Sequence, residues 1–197
     1  MASHSEKFYD RVAQLYPLID FFLKPQKRKF FDLINSSPYG MLLEIGVGTG
    51  SHFKFYDNHA IIGVDTSPGM LTHARQHAKP NIQLLQMSGE DLSFPDQRFD
   101  YVVLSHVLAV VDNPDKLLAE VYRVLKPDGK VFILNHFTPD NWLKHIDRAF
   151  ASVSNHFHFK SLFLLSNLHQ LEKFTLVHAT SAGPLSYFKI LVYEKKV

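Results

Sequence analysis

The sequence predicts an α/β fold: a seven-stranded, mostly parallel sheet with one antiparallel strand, helices on both faces and extra helices at the N-terminus. Three observations carry this. Met41-Leu42-Leu43-Glu44-Ile45 is a short apolar run, of the kind a buried parallel strand shows, and it breaks into the glycine-rich Gly46-Val47-Gly48-Thr49-Gly50. From there to about residue 135, apolar runs and helical stretches alternate as βαβαβαβαβ, which implies parallel strands joined by right-handed crossovers. Two last apolar runs, Phe174 to Thr180 and Tyr187 to Tyr193, flank Ser181-Ala182-Gly183-Pro184 and place an antiparallel strand near one edge.

The elements follow in order. Before the first strand, Phe8, Val12, Leu15, Ile19 and Phe22 recur at steps of four and three, a helical stripe that Pro17 divides into two short helices meeting near Tyr16. Lys24, Lys27, Arg28 and Lys29 lie between Phe21-Phe22-Leu23 and Phe30-Phe31, a cationic and aromatic pattern that suits an anionic membrane surface and equally a solvated helix face beside core aromatics. After Gly50 a short helix is expected to about Tyr56. The second strand, Ala60-Ile61-Ile62-Gly63-Val64, ends in Asp65, and Thr66-Ser67-Pro68 opens a helix to about Lys79 with a hydroxyl cap and a first-turn proline. Strands Ile82 to Met87 and Phe99 to Leu104 flank the loop Ser88-Gly89-Glu90-Asp91. Asn113-Pro114 caps a helix to Leu125, Lys126-Pro127-Asp128-Gly129 turns the chain, and Lys130 to Leu134 is the fifth strand. Residues 139 to 150 and 161 to 172 read as helical.

Composition narrows the function classes. With 197 residues, 46% hydrophobic and 20% charged, the chain reads as a single domain over 1–197. It divides into an N-terminal helical, membrane-contacting segment (1–38), a cofactor-binding core (39–137) and substrate-side helices with closing strands (138–197). The absence of cysteine removes disulfides, zinc-thiolate sites and thiol nucleophiles and suits a reducing cytoplasm. MASHSEKFYD has no secretory pattern, and Tyr101 to Val111 is too short an apolar run to span a bilayer. The expected location is cytoplasmic, or peripheral on the inner face of the cytoplasmic membrane. A net charge of +2 without a basic stripe argues against nucleic acid. Of twelve histidines, the closest group, His156 and His158, lacks further ligands at metal-binding spacing, so no metal is expected.

Function begins at the glycines. Gly46, Gly48 and Gly50 allow positive φ and close approach of a ligand to the main chain. Ser51 stands where the dinucleotide fingerprint needs its third glycine, which argues against a nicotinamide or flavin enzyme. Asp65, fifteen residues beyond Gly50, can accept from both hydroxyls of one ribose. Gly46, Asp65, Ser88, Ser105 and Asn135 all fall at the C-terminal ends of strands, where open α/β sheets bind ligands.

These residues resemble the class I S-adenosylmethionine-dependent methyltransferases, with their Rossmann-like fold. The carriers are Glu44 to Gly50, Gly63-Val64-Asp65-Thr66-Ser67-Pro68-Gly69-Met70-Leu71, Glu90 to Asp96 with Phe99-Asp100, and Arg123-Val124-Leu125-Lys126-Pro127-Asp128-Gly129-Lys130. The resemblance implies S-adenosylmethionine as cofactor and S-adenosylhomocysteine as product. The amino-acid part would lie on Gly46, Gly48 and Gly50, with Glu44, Ser105 and Tyr9 close by, and the ribose on Asp65. Thr66 and Met70 would pack at the adenine, with Ser88, Gly89 and Glu90 near its edge. Many members carry an aspartate where this chain has Ser88.

Tyr9-Asp10 with Tyr16, Val110-Val111-Asp112-Asn113-Pro114, Asn135-His136-Phe137 and Gly183-Pro184-Leu185-Ser186-Tyr187-Phe188 look like the bacterial phospholipid N-methyltransferases, peripheral enzymes that methylate phosphatidylethanolamine. That likeness implies a phospholipid acceptor reached through the basic N-terminal segment. His106 would accept the amine proton, His136 would bind phosphate or orient the amine, and Tyr9 and Tyr16 would close over the cofactor and face the methylated cation. Trp142, Phe157 and Phe159 would line an acyl groove or belong to the core. A small-molecule acceptor, quinone-like, amine or hydroxyl, is the alternative, as is a non-catalytic cofactor-binding protein.

Overall fold

The computed structural model describes residues 27–57, 59–136, 167–181 and 188–196. Seven strands, β1 (Met41–Ile45), β2 (Ala60–Asp65), β3 (Ile82–Gln86), β4 (Phe99–Ser105), β5 (Leu125–His136), β6 (Phe174–Ser181) and β7 (Phe188–Lys195), form one sheet in the order β3-β2-β1-β4-β5-β7-β6. β1 pairs in parallel with β2 and β4, β2 with β3, and β4 with β5. β7 is antiparallel to both β5 and β6, so it alone runs against the other six. The order reverses between β1 and β4, and that switch point opens a crevice beyond the carboxyl ends of the strands.

Three α-helices are described: α1 (residues 27–35), α2 (Pro68–Arg75) and α3 (Pro114–Val124). α2 and α3 start where the sequence places their caps. Ser67 accepts from the Met70 amide at 3.2 Å and Asn113 from the Lys116 amide at 3.0 Å, each with proline in the first turn. Alternation along β1 divides the core between the two faces. Leu43 and Ile45 pack toward Leu117, Leu118, Val121 and Val124 of α3, while Leu42 packs toward Phe30, Phe31 and Ile34 of α1 and Leu71 and Ala74 of α2. Each such fully buried side chain contributes about 1.5–3 kcal/mol relative to exposure.

Several boundaries differ from expectation. The segment after Gly50 is a single 3-10 turn, Phe53–Phe55, because the loop consumes the residues that a longer helix would need. α2 ends at Arg75, well short of Lys79. Lys126-Pro127-Asp128-Gly129 lies within β5 as a bulge: Phe99 pairs with Leu125, and the register resumes at Tyr101 with Lys130. Lys126 Nζ donates to Asp100 Oδ1 at 2.7 Å and pins this bulge to β4. Of the helix expected over 161 to 172, the described part, His169–Lys173, is a 3-10 helix. Tyr9, Tyr16, Pro17, Lys24, residues 139 to 150, Trp142, His156, Phe157, His158 and Phe159 lie outside the described residues.

The cationic segment is corrected at Lys27. Arg28 and Lys29 are exposed, but Lys27 is 6% exposed on the inward stripe of α1 with Phe30, Phe31 and Ile34, so it cannot belong to a solvated membrane-facing patch.

Candidate functional site

The loop that leaves β1 hangs on β2. The Gly46 and Val47 amides both donate to the Val64 carbonyl, at 2.8 and 3.2 Å, and the Gly50 amide donates to Val47 O at 3.1 Å to close the turn. Gly48 has φ +54°, and a Cβ added there would meet nothing within 4 Å. Its glycine therefore serves conformation and leaves the concave side of the loop open. Gly46, at φ +76°, is held as well by packing, since a Cβ would lie 2.9 Å from Val107 Cγ2.

Asp65 ties the tip of β2 to this loop. Its Oδ2 accepts from the Gly48 amide at 2.8 Å and its Oδ1 from the Ser67 amide at 2.9 Å. The carboxylate, which offers about four lone-pair sites, keeps acceptor capacity for a ribose hydroxyl beyond these amides. Burial pushes the Asp65 carboxyl above the usual carboxylate range, with the charge of Glu44 adding to it and N–H bonds from Ser67, Gly48 and Thr66 opposing it.

Beneath the loop Glu44 is fully buried. Tyr56 Oη donates to its Oε2 at 3.0 Å, and His52 Nε2 lies 2.8 Å from its Oε1, an ion-pair contact without hydrogen-bond alignment. Burial, then the Glu44 charge, raises the Tyr56 hydroxyl well above its ordinary pKa. Phe31 of α1 stacks on the His52 ring at 5.4 Å and meets Tyr56 edge-on at 4.8 Å, so helix, loop and carboxylate form one packed unit.

The opposite wall comes from β4. Ser105 ends the strand, and His106 follows at φ +60°, its amide donating to Leu134 O at 2.7 Å. A left-handed non-glycine residue is disfavoured by about 1–2 kcal/mol, and such strain concentrates at functional sites. The His106 ring meets Phe188 of β7 edge-on at 5.6 Å. Ser105 and His106 face Gly46, Val47, Thr49 and Ser51 across an open cleft, and Lys27 and His52 complete its lining.

The remaining expected residues lie along the neighbouring strand ends. Thr66 is exposed and Met70 half-buried at the start of α2. Ser88 Oγ accepts from the Glu90 amide at 3.2 Å, and Glu90 Oε1 accepts from the Asn113 amide at 3.0 Å, joining this loop to the α3 cap. Gly89 is buried against Ile45 and Leu117, so packing requires its glycine. Asn135 is 1% exposed, and His136 ends β5 opposite Phe188. Thus Gly46, Ser105 and His106 share one cleft, and Asp65 joins it through Gly48. Lys27, His52 and Tyr56 are additions. The sequence carried a signal for Lys27, which falls at helical spacing with Phe30, Phe31 and Ile34. It carried none for the Glu44–His52 contact, which depends on how sharply the loop turns.

The residues fit S-adenosylmethionine. The open space over Gly48 and the Asp65 carboxylate at the adjacent strand tip suit an amino-acid tail joined to a ribose.

Comparison with known proteins agrees with this geometry. Residues 43–133 match the family model described as a methyltransferase domain. The chain is 32% identical over 164 residues to a phosphatidylethanolamine N-methyltransferase of Cereibacter sphaeroides, covering 80% of this chain and 81% of that one. It is 30% identical over 140 residues to a ubiquinone/menaquinone biosynthesis C-methyltransferase UbiE of Vibrio parahaemolyticus, covering 66% of this chain and 53% of that one, so it spans about half of that relative. Among solved structures, a SAM-dependent methyltransferase from Thermotoga maritima superposes with a TM-score of 0.72 at 21% identity, over 98% of this chain and all of that one.

Proposed function

We propose a function from one premise: the chain belongs to the S-adenosylmethionine-dependent methyltransferases. Its acceptor is the amine of phosphatidylethanolamine or of its methylated forms, met at a membrane surface. The observation that carries this reading is the likeness to the Cereibacter enzyme over 164 residues, which reaches well beyond the cofactor-binding core. Among the described residues no helix is long and apolar enough to cross a membrane.

When bound, S-adenosylmethionine supplies a methyl group on a sulfonium, open to in-line displacement. Gly46, Gly48 and Gly50 receive its amino-acid part, Asp65 accepts from the ribose hydroxyls, and Glu44 with His52 and Tyr56 supports the loop from below. Thr66 and Met70, with Ser88, Gly89 and Glu90, border the adenine. Orientation in a site shielded from water supplies about 7–11 kcal/mol of such a barrier. The acceptor amine must lose a proton, which for an amine like that of lysine costs about 4 kcal/mol near neutral pH. His106, held at the cleft by its fixed backbone, accepts that proton directly or through water. Tyr9, Tyr16 and His136 are assigned to closing the site and holding the headgroup.

A second reading rests on the UbiE likeness: a quinone-like acceptor, with the basic segment incidental. Purified enzyme offered phosphatidylethanolamine vesicles and a demethylated quinone in parallel separates the two. Turnover on the vesicles alone supports the phospholipid; turnover on the quinone, indifferent to liposomes, replaces it.

A further inference from the structure

Glu44 and His52 form a carboxylate–histidine pair at the edge of the cleft. The carboxylate is fully buried under the glycine loop, with Oε2 held by Tyr56 Oη and Oε1 2.8 Å from His52 Nε2. Two lone pairs do not face each other at that separation, so Nε2 carries a proton. In the neutral ring the remaining nitrogen, Nδ1, is then the acceptor, its tautomer set by the partner of the other nitrogen. Phe31 stacked at 5.4 Å and Phe53 edge-on at 4.9 Å fix the ring in this pose. Nε2 is buried against Glu44, yet the side chain keeps 12% exposure and lines the cleft beside Gly46, Thr49 and Ser51. Glu44 acts there as an anion, since its charge helps to raise both the Tyr56 hydroxyl and the Asp65 carboxyl.

Resting on S-adenosylmethionine as the cofactor, we infer that His52 Nδ1 accepts the ammonium of the cofactor's amino-acid tail. The carboxylate behind the ring polarises it, which strengthens Nδ1 as an acceptor for a cation. Lys27, in the same lining, has only donors to offer, and the hydroxyls of Thr49, Ser51 and Ser105 accept as neutral dipoles. His52 differs from them in having Glu44 at its back. The pair makes the site select a ligand with a complete amino-acid tail over one that has lost its amino group.

The test titrates wild type, His52→Phe and His52→Asn with three ligands by calorimetry: S-adenosylhomocysteine, its analogue without the α-amino group, and 5′-methylthioadenosine, which lacks the tail. Wild type is expected to bind S-adenosylhomocysteine at least ~10-fold more tightly than the deaminated analogue. His52→Phe should lose that preference while keeping methylthioadenosine affinity within about two-fold of wild type. His52→Asn, whose amide group lies near the place of Nδ1, should recover part of it. A preference that survives in His52→Phe overturns the inference. So does an equal loss for all three ligands in that variant, which would make the ring structural. Where His52→Phe fails to fold, a reduced preference in His52→Asn supports the inference and an unchanged one overturns it. Wild type that binds S-adenosylhomocysteine and methylthioadenosine but tolerates loss of the amino group removes the inference and leaves the cofactor standing. Wild type that binds none of the three removes both.

Discussion

The Asp65 carboxylate accepts the Gly48 amide at 2.8 Å, so the acid that meets the ribose also sets the shape of the loop that meets the rest of the cofactor. Asp65→Ala removes both functions. Its S-adenosylhomocysteine affinity by titration calorimetry should fall at least ~10-fold, since hydrogen bonds to a charged group contribute roughly 1.5–3 kcal/mol each.

The same residue sets a pH dependence. Burial holds the Asp65 carboxyl above the ordinary range. Diol binding needs the ionised form, so affinity is full above that raised pKa and falls as pH drops through it, at a higher pH than an ordinary aspartate would give. Affinity titrated downward from pH 8 should show this decline, and Asp65→Asn should abolish it.

His106 occupies left-handed backbone at φ +60°. His106→Gly tolerates that backbone and His106→Ala does not, so the glycine variant should be the more stable by about 1 kcal/mol. Both should lose turnover by roughly 10²-fold or more while keeping S-adenosylhomocysteine affinity, the signature of a lost proton acceptor. Wild-type turnover in either removes His106 from the chemistry.

Arg123 gathers the loop after β3. Its guanidinium donates to Leu92 O at 2.8 Å and Phe94 O at 2.7 Å, and pairs with Glu120 at 2.7 Å and Asp96 at 2.8 Å. Arg123→Leu should cost about 2 kcal/mol of unfolding free energy, through buried carbonyls left without donors. Glu120 is held below the usual carboxylate range, first by its hydrogen bond from Arg123. A lowered folded-state pKa gives stability present above the unfolded pKa and lost as pH falls through the folded value. Denaturant melts between neutral and acid pH should therefore show a smaller acid loss from this pair in Arg123→Leu.

Arg28 and Lys29 carry what the described residues keep of the proposed membrane contact. Charge reversal of both should weaken sedimentation with anionic vesicles at least ~10-fold, at roughly 1 kcal/mol per cation near an anionic leaflet. Unchanged sedimentation would remove α1 from membrane docking.

Much of this architecture is legible in the sequence because local chemistry and tertiary structure agree there. Ser67-Pro68 and Asn113-Pro114 start helices where their caps predict, and the apolar runs form the strands of the cofactor-binding half. The glycines and Asp65 are legible as a candidate site because a bare turn and an acid at adjacent strand tips have few other uses. Lys27 was misread because a run of four cations looks like a face, whereas helical spacing sends one of them inward. The β5 bulge was hidden because Lys126-Pro127-Asp128-Gly129 reads as a turn, whereas its flanks Leu125 and Lys130 both pair with β4 and Lys126 reaches Asp100. The left-handed His106 has no local sequence signal, since its backbone is fixed by Leu134 on the neighbouring strand.

The central claim, a cofactor cleft serving a phospholipid amine, is tested most directly by radiolabelled methyl transfer from S-adenosylmethionine to phosphatidylethanolamine vesicles, with and without anionic lipid, the products separated by headgroup. Label in methylated phosphatidylethanolamine, increased by anionic lipid, is the predicted result. Absence of label in any phospholipid, from protein that binds S-adenosylhomocysteine, would contradict the acceptor and leave the cofactor site standing.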